Sequence, residues 1–210
     1  MKKQLIAVVS ALAMTFTSLP CVSIAAEIVP KPVLQYTFDG NKQLADQNGK
    51  NELKLSGGAS VTDDGNKGKG LLLDGTDGYA ELPDNILSSD MTITTWVKIN
   101  KFTTWGRVFD FGTDSNQNFF FAPYSGGASR VEIKNGATVD TMDCTQETAK
   151  DWVNYAITIK GDTVSYYRNG RLIKSKSGIK DISELTNTAN YIGKSHYDGD
   201  AYLSAVVDDF

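Results

Sequence analysis

The chain has 210 residues, with 21 Lys and Arg against 25 Asp and Glu, one His and a formal net charge of −4. That length fits one large domain or two small ones, and a weakly acidic balance without a basic run argues against nucleic acid and anionic membrane surfaces as partners. Glu stands only at 27, 52, 81, 132, 147 and 184, and the Asp that dominates elsewhere bonds nearby backbone amides, so the composition is that of a loop-rich fold.

Residues 1–26 have the layout of a secretory signal peptide. Met1-Lys2-Lys3 is the positive start, Leu5 to Leu19 is mostly apolar, Pro20 breaks any helix, and Ser23-Ile24-Ala25-Ala26 supplies the small residues before a cut. The apolar run falls short of the roughly 20 residues a bilayer span requires, and Ser10, Thr15 and Thr17 interrupt it. Ser18, three positions before Cys21, is not the aliphatic residue a lipid anchor would want. Cys21 leaves with the signal, so Cys144 is alone in the mature chain and no intramolecular disulfide forms. No activating cluster surrounds Cys144, which reads as a small, unreactive thiol.

From residue 27 onward, short runs of β-branched and aromatic residues alternate with Asp-Gly and Asn-Gly pairs, the strongest short-range hairpin signal. The expected strands, in order, are Val33–Phe38, Gly70–Asp74, Tyr79–Leu82, Met91–Ile99, Arg107–Phe111, Asn118–Ala122 and Arg130–Lys134. Trp152–Lys160, Thr163–Arg168, Arg171–Ser175, Tyr191–Gly193 and Tyr202–Phe210 follow. Within Met91–Ile99, Ile93, Val97 and Ile99 share one face and Thr92, Thr94, Trp96 and Lys98 the other. Asp181–Leu185 is the best helical candidate and amounts to one turn. About a dozen short antiparallel strands in one domain of residues 27–210, without repeat or linker, indicate an all-β sandwich or barrel, and the length suits a jelly roll.

Eight runs carry a resemblance. They are Tyr36-Thr37-Phe38-Asp39-Gly40, Leu71-Leu72-Leu73-Asp74-Gly75, Gly78-Tyr79-Ala80-Glu81-Leu82, Met91 to Val97, Arg107 to Gly112, Trp152 to Ala156, Tyr191 to Ser195, and Val207-Asp208-Asp209-Phe210. In this order they resemble the laminin-G-like group of the concanavalin A-like lectin/glucanase superfamily. The resemblance implies a jelly-roll sandwich of two curved antiparallel sheets and a place as an accessory module of secreted polysaccharide-degrading enzymes, or as an adhesion module. Two features depart from it. Ser204-Ala205 stands where the family shows a Gly, and the chain stops at Phe210 inside the closing strand motif, as a truncated product or the front module of a larger protein would.

Chemistry is thin. Glycosidases on this fold need two carboxylates flanking the scissile bond; the laminarinase and agarase relatives take them from one strand, as Glu-x-Asp-x-Glu or with one extra residue, and no Glu here is followed two residues later by Asp. Asp110 and Asp114, and likewise Asp198 and Asp200, read as turn and loop formers. His196 has no nucleophile-elbow Ser to serve, and zinc would want more His or Cys than the chain holds. The expectation is a secreted, non-catalytic module that binds a polysaccharide or glycan, as a monomer or as part of a larger protein. An extracellular adhesion or protein-interaction module is the alternative, and a glycoside hydrolase ranks third.

Sugar rings stack on aromatic faces, and loop aromatics are the candidates: Trp105 in Phe102-Thr103-Thr104-Trp105-Gly106, Tyr124 in Pro123-Tyr124-Ser125-Gly126-Gly127, and Tyr197 beside His196. Trp96 and Trp152 lie in strands and read as core. The resemblance also implies a structural calcium ion between an early Asp-Gly turn and the closing acidic pair, held by the carboxylates of Asp39 and Asp208.

Overall fold

A computed structural model describes residues 31–148 and 150–210, and all of its strands fall in the unit Pro32–Phe210. Segment 1–26, where a signal peptide is expected, lies outside the described residues. Fourteen strands run in chain order: β1 (Lys54–Ser56), β2 (Ser60–Thr62), β3 (Gly70–Asp74), β4 (Tyr79–Leu82), β5 (Met91–Lys101), β6 (Phe109–Asp114), β7 (Gln117–Ala122), β8 (Ala128–Asn135), β9 (Thr138–Thr145), β10 (Val153–Lys160), β11 (Thr163–Arg168), β12 (Arg171–Ser177), β13 (Ala189–Ile192) and β14 (Ser204–Asp208). The Asp181–Leu185 candidate is a single 3-10 turn, Ile182–Glu184, capped by the Asp181 side chain.

The strands form two antiparallel sheets of seven, in the order β1-β4-β13-β6-β7-β8-β9 (sheet I) and β12-β11-β10-β5-β14-β3-β2 (sheet II). This is the all-β jelly-roll sandwich expected. Turn chemistry fixes the registers. Asn169 and Gly170 both adopt positive φ, at 50° and 75°, which the tight reversal between β11 and β12 demands. Alternation then turns one face of each sheet inward. Phe109, Phe111, Phe119, Phe121, Val131 and Ile133 of sheet I meet Val97, Ile99, Tyr155, Ile157, Tyr166 and Val207 of sheet II. The Phe121 ring bridges the layers, 5.1 Å from Tyr155 and 5.0 Å from Tyr166. Deleting a buried ring of this size costs about 3–5 kcal/mol.

The two ends of the unit meet. Tyr36 N donates to Phe210 O at 2.8 Å, and Phe210 N donates back to Tyr36 O at 3.0 Å. Val33–Phe38 is nevertheless not a strand, because Phe38 takes a left-handed φ of 58° and ends the pairing after one residue pair. The tryptophans also differ from expectation. Trp96 and Trp152 are half-buried and outside the core cluster. Trp96 has the outward parity of Lys98, whose ammonium sits 5.4 Å from the Trp152 ring centroid.

Candidate functional site

Phe119, Phe120 and Phe121 are consecutive in β7, so the middle ring must leave the core face. Phe120 belongs to an outward row that crosses sheet I by register: Lys54, Glu81, Tyr191, Asp110, Phe120, Glu132 and Thr141. Phe120 is still only 1% exposed. Its cover is the Arg107 guanidinium, whose Cζ lies 3.6 Å from the ring centroid.

Arg107 enters through a tight turn after β5. Gly106 N donates to Thr103 O at 3.2 Å, and Trp105 takes a left-handed φ of 68°. A side chain in that region costs about 1–2 kcal/mol. A Cβ at Gly106 would stand 2.6 Å from Thr103 Oγ1, so a larger residue there would have to push that hydroxyl from its bond to Tyr202 O. The turn presents the Trp105 ring 5.1 Å from the guanidinium carbons of both Arg107 and Arg130. On the opposite side, Asp200 N donates to Tyr197 O across Gly199, and Tyr197 N donates to Ser195 Oγ, so the 195–200 loop leans Tyr197 toward Arg107.

The result is a pocket of about 250 Å³ lined by Trp105, Arg107, Phe120, Arg130, Glu132, Tyr197 and Asp200. Arg107 Nη2 donates to Asp200 Oδ2 at 3.0 Å, and Nε is 3.6 Å from Asp110 Oδ2. Arg107 Nε and Nη1 have no hydrogen-bond partner among the described residues. Burial pulls the guanidinium pKa down from its ordinary value, while Asp110, Asp200 and Glu132 oppose that pull. Glu132 Oε2 accepts from Arg130 Nη1 and Thr141 Oγ1. Arg130 grips Asp143 through Nε and Nη2, which holds the Asp143 carboxyl below its usual value.

Behind the pocket, Asp110 is fully buried rather than capping a turn. It accepts from His196 N at 3.0 Å, and His196 Nδ1 approaches its other oxygen to 2.8 Å. Asp114 does cap its turn, accepting from Asn116 N and Gln117 N. Asp200 joins the pocket through Arg107 and Ser195. Trp105 and Tyr197 therefore share one pocket, and Tyr124 does not line it. The Tyr124 carbonyl accepts from Trp105 N at 2.9 Å, while its ring packs edge-on against Phe102 at 6.1 Å. Cys144 is half-buried, and burial pushes its thiol up to about 11, away from reactivity.

A second hollow, about 420 Å³, lies across the other end of the outward row between Lys54, Glu81 and Tyr191. The aromatic in its lining, Tyr191, is capped, because Lys194 Nζ sits 4.5 Å from that ring's centroid.

Asp39 and Asp208 turn toward the same loop. Asp39 Oδ1 accepts from Lys69 N at 2.9 Å, and Asp208 accepts from Lys67 N at 3.0 Å and from Asp209 N at 2.7 Å. Asp208 is 1% exposed and burial pushes its carboxyl up. Among the described residues no cationic side chain pairs with Asp208, and no group of three or more His, Cys, Asp or Glu gathers. A buried carboxylate without a counter-charge fits a hard cation, with backbone carbonyls supplying the rest of its shell. The loop amides already engage both side chains.

A family model described as the concanavalin A-like lectin/glucanases superfamily matches residues 74–210. An α-L-arabinofuranosidase of Bifidobacterium longum subsp. longum is 28% identical over 194 residues, covering 80% of this chain and 18% of the relative. This chain thus corresponds to under a fifth of that protein's length. Domain 4 of AbnA, a GH43 extracellular arabinanase from Geobacillus stearothermophilus solved with arabinotriose, superposes with a TM-score of 0.73 at 22% identity, covering 84% of this chain and 88% of that one. A botulinum neurotoxin type C structure, reported with interaction with two ganglioside molecules, gives 0.65 at 16% identity, covering 85% of this chain and 46% of that one. Both structural likenesses are statements about fold.

Proposed function

This chain belongs to the concanavalin A-like lectin/glucanase superfamily, and from that premise we propose that it is a secreted, non-catalytic module that binds carbohydrate in the pocket between Trp105 and Tyr197. One observation carries the reading. Two loop aromatics are held at the rim of a pocket whose floor and walls are charged side chains. Apolar ring faces beside fixed polar groups are what a pyranose or furanose engages, through burial of its C–H face and hydrogen bonds to its hydroxyls. Arg107 acts as a positioning residue, sealed beneath the rim and tying Phe120, Asp200 and Asp110 together. The names of the relatives, an arabinofuranosidase and an arabinanase domain solved with arabinotriose, support arabinan-type glycans as the first ligands to try.

The non-catalytic part rests on how the acids are used. Asp110, Glu132, Asp143 and Asp200 are each engaged within the protein as acceptors, by His196, Arg130, Thr141, Arg107 or Ser195. None is left to act as general acid opposite a second carboxylate. We extend the proposal to a structural calcium ion held by Asp39 and Asp208, supported by the burial of Asp208 with no cationic side chain paired to it among the described residues.

The test is a glycan array followed by titration calorimetry on wild type and Trp105→Ala, with reducing-sugar assays on xylan, arabinan, laminarin and agar. Binding that Trp105→Ala removes, without sugar release, supports the reading. Release of reducing sugar by pure protein would overturn the non-catalytic part. Binding that survives Trp105→Ala and Tyr197→Ala but is lost in Trp152→Ala would move the site to the outer face of sheet II.

A further inference from the structure

The outward row across sheet I would offer an extended chain a path of seven strands, yet the protein obstructs that path at its middle. His196 descends onto Asp110, with its backbone N–H 3.0 Å from Oδ2 and its ring centroid 5.0 Å from that of Tyr191. The 195–200 loop therefore stands between the two hollows. The hollow on the Phe120 side offers two rim aromatics, Trp105 and Tyr197, the latter with the Lys134 ammonium 5.4 Å from its centroid, whereas the other offers Tyr191, with the Lys194 ammonium 4.5 Å from its centroid. At about 250 Å³ the pocket falls just under the roughly 300–1,000 Å³ of typical ligand sites, which suits one sugar ring and not several.

Charge sets a second limit. The guanidiniums of Arg107 and Arg130 and the Lys134 ammonium, 3.5 Å from Tyr197 Oη, face the carboxylates of Asp110, Glu132, Asp143 and Asp200. The carboxylates outnumber these cations, so a ligand carboxylate or sulfate would be desolvated beside surplus negative charge. The acceptor-rich wall suits the hydroxyl donors of an uncharged sugar instead.

We infer that the Trp105 pocket takes a single uncharged sugar residue end-on, as a chain terminus or a one-residue branch, and not an internal stretch of polysaccharide. This rests on the carbohydrate reading of the same pocket.

The test titrates the protein with neutral oligosaccharides of three and six residues in the arabino, xylo and gluco series, with oligogalacturonates of the same lengths, and with arabinan before and after removal of its terminal and branch arabinose. Expected are three- and six-residue affinities within about twofold for the bound series, competition by the matching methyl monoglycoside, no oligogalacturonate binding, and loss of arabinan binding on trimming if arabinose is the residue recognised. An affinity gain of about tenfold or more from three to six residues, or tighter binding to galacturonates, overturns the inference and leaves carbohydrate binding standing. No binding to any glycan, with Trp105→Ala indistinguishable from wild type, overturns the carbohydrate reading and this inference with it.

Discussion

His196 Nδ1 lies 2.8 Å from Asp110 Oδ1, although their alignment is outside that of a hydrogen bond, and the two side chains are 4% and 0% exposed. Asp110 thereby faces an imidazole and the backbone N–H of His196 on one side and the Arg107 guanidinium on the other. Asp110→Asn keeps the shape and removes the charge that balances Arg107. Breaking a buried pair in this way costs about 3–5 kcal/mol. Urea unfolding should show a loss of that order, whereas Asp114→Asn, at an exposed turn, should stay within about 0.5 kcal/mol. Equal losses at the two positions would remove Asp110 from its structural role.

Trp105→Ala removes a half-buried ring from the rim without touching the core cluster. Burying an aromatic face contributes about 1.5–3 kcal/mol, so glycan affinity should fall by roughly tenfold or more, with a melting temperature within a few degrees of wild type. Tyr197→Ala should act alike. Tyr124→Ala should leave affinity within about twofold, since only its backbone touches the site. Calorimetric titration and thermal melts of the three variants separate these outcomes, and unfolding of Trp105→Ala would make that ring a packing residue.

These two sets of positions show how far the sequence reaches. Trp105 and Tyr197 are legible as loop aromatics because turn residues flank them. Arg107, Phe120 and Glu132 are hidden, since each sits in or beside a strand run that reads as fold. The available signal was parity: three successive Phe in one strand force Phe120 outward, and an outward Phe wants a cover. Strands β3, β5 and β10–β12 are legible from alternation and Asx-Gly turns. Strand β9 is not, because only Met142 and Cys144 face the core there while Asp140, Thr141 and Asp143 supply the polar pattern of a loop. Three-residue β1 and β2 are too short to carry a period. Trp96 and Trp152 show the converse failure, as strand membership does not say which face a ring takes.

The pH dependence of stability has a named contributor. Asp74 accepts from the amides of Thr76, Asp77 and Gly78 at 2.9, 3.2 and 2.9 Å, and those bonds, Thr76 first, hold its carboxyl below the ordinary 3.8. A depressed folded-state pKa gives stability that is fully present above the unfolded value and lost as pH falls through the folded one. Asp74→Asn should therefore melt below wild type at neutral pH, with the gap closing as the pH drops beneath 3.8. A gap independent of pH across that range would show the loss to be one of turn shape alone.

Calcium should raise the melting temperature of residues 27–210 relative to chelator, by an increment that grows with ion concentration through mass action. Asp39→Ala and Asp208→Asn should each abolish that increment. Identical midpoints with calcium and with chelator would remove the ion and leave the Lys67 and Lys69 amides as the partners of these carboxylates.

The left-handed backbone at Trp105 sets two demands on one residue. Glycine would occupy that φ without the side-chain penalty, and it would also delete the ring. Variants chosen only for heat resistance should therefore drift toward glycine at 105 and become blind to ligand, while variants chosen for capture should keep tryptophan and accept a lower melting point. An engineer seeking a tougher version of this module would do better to leave 103–106 alone and seek stability in the β10–β11 hairpin of the other sheet.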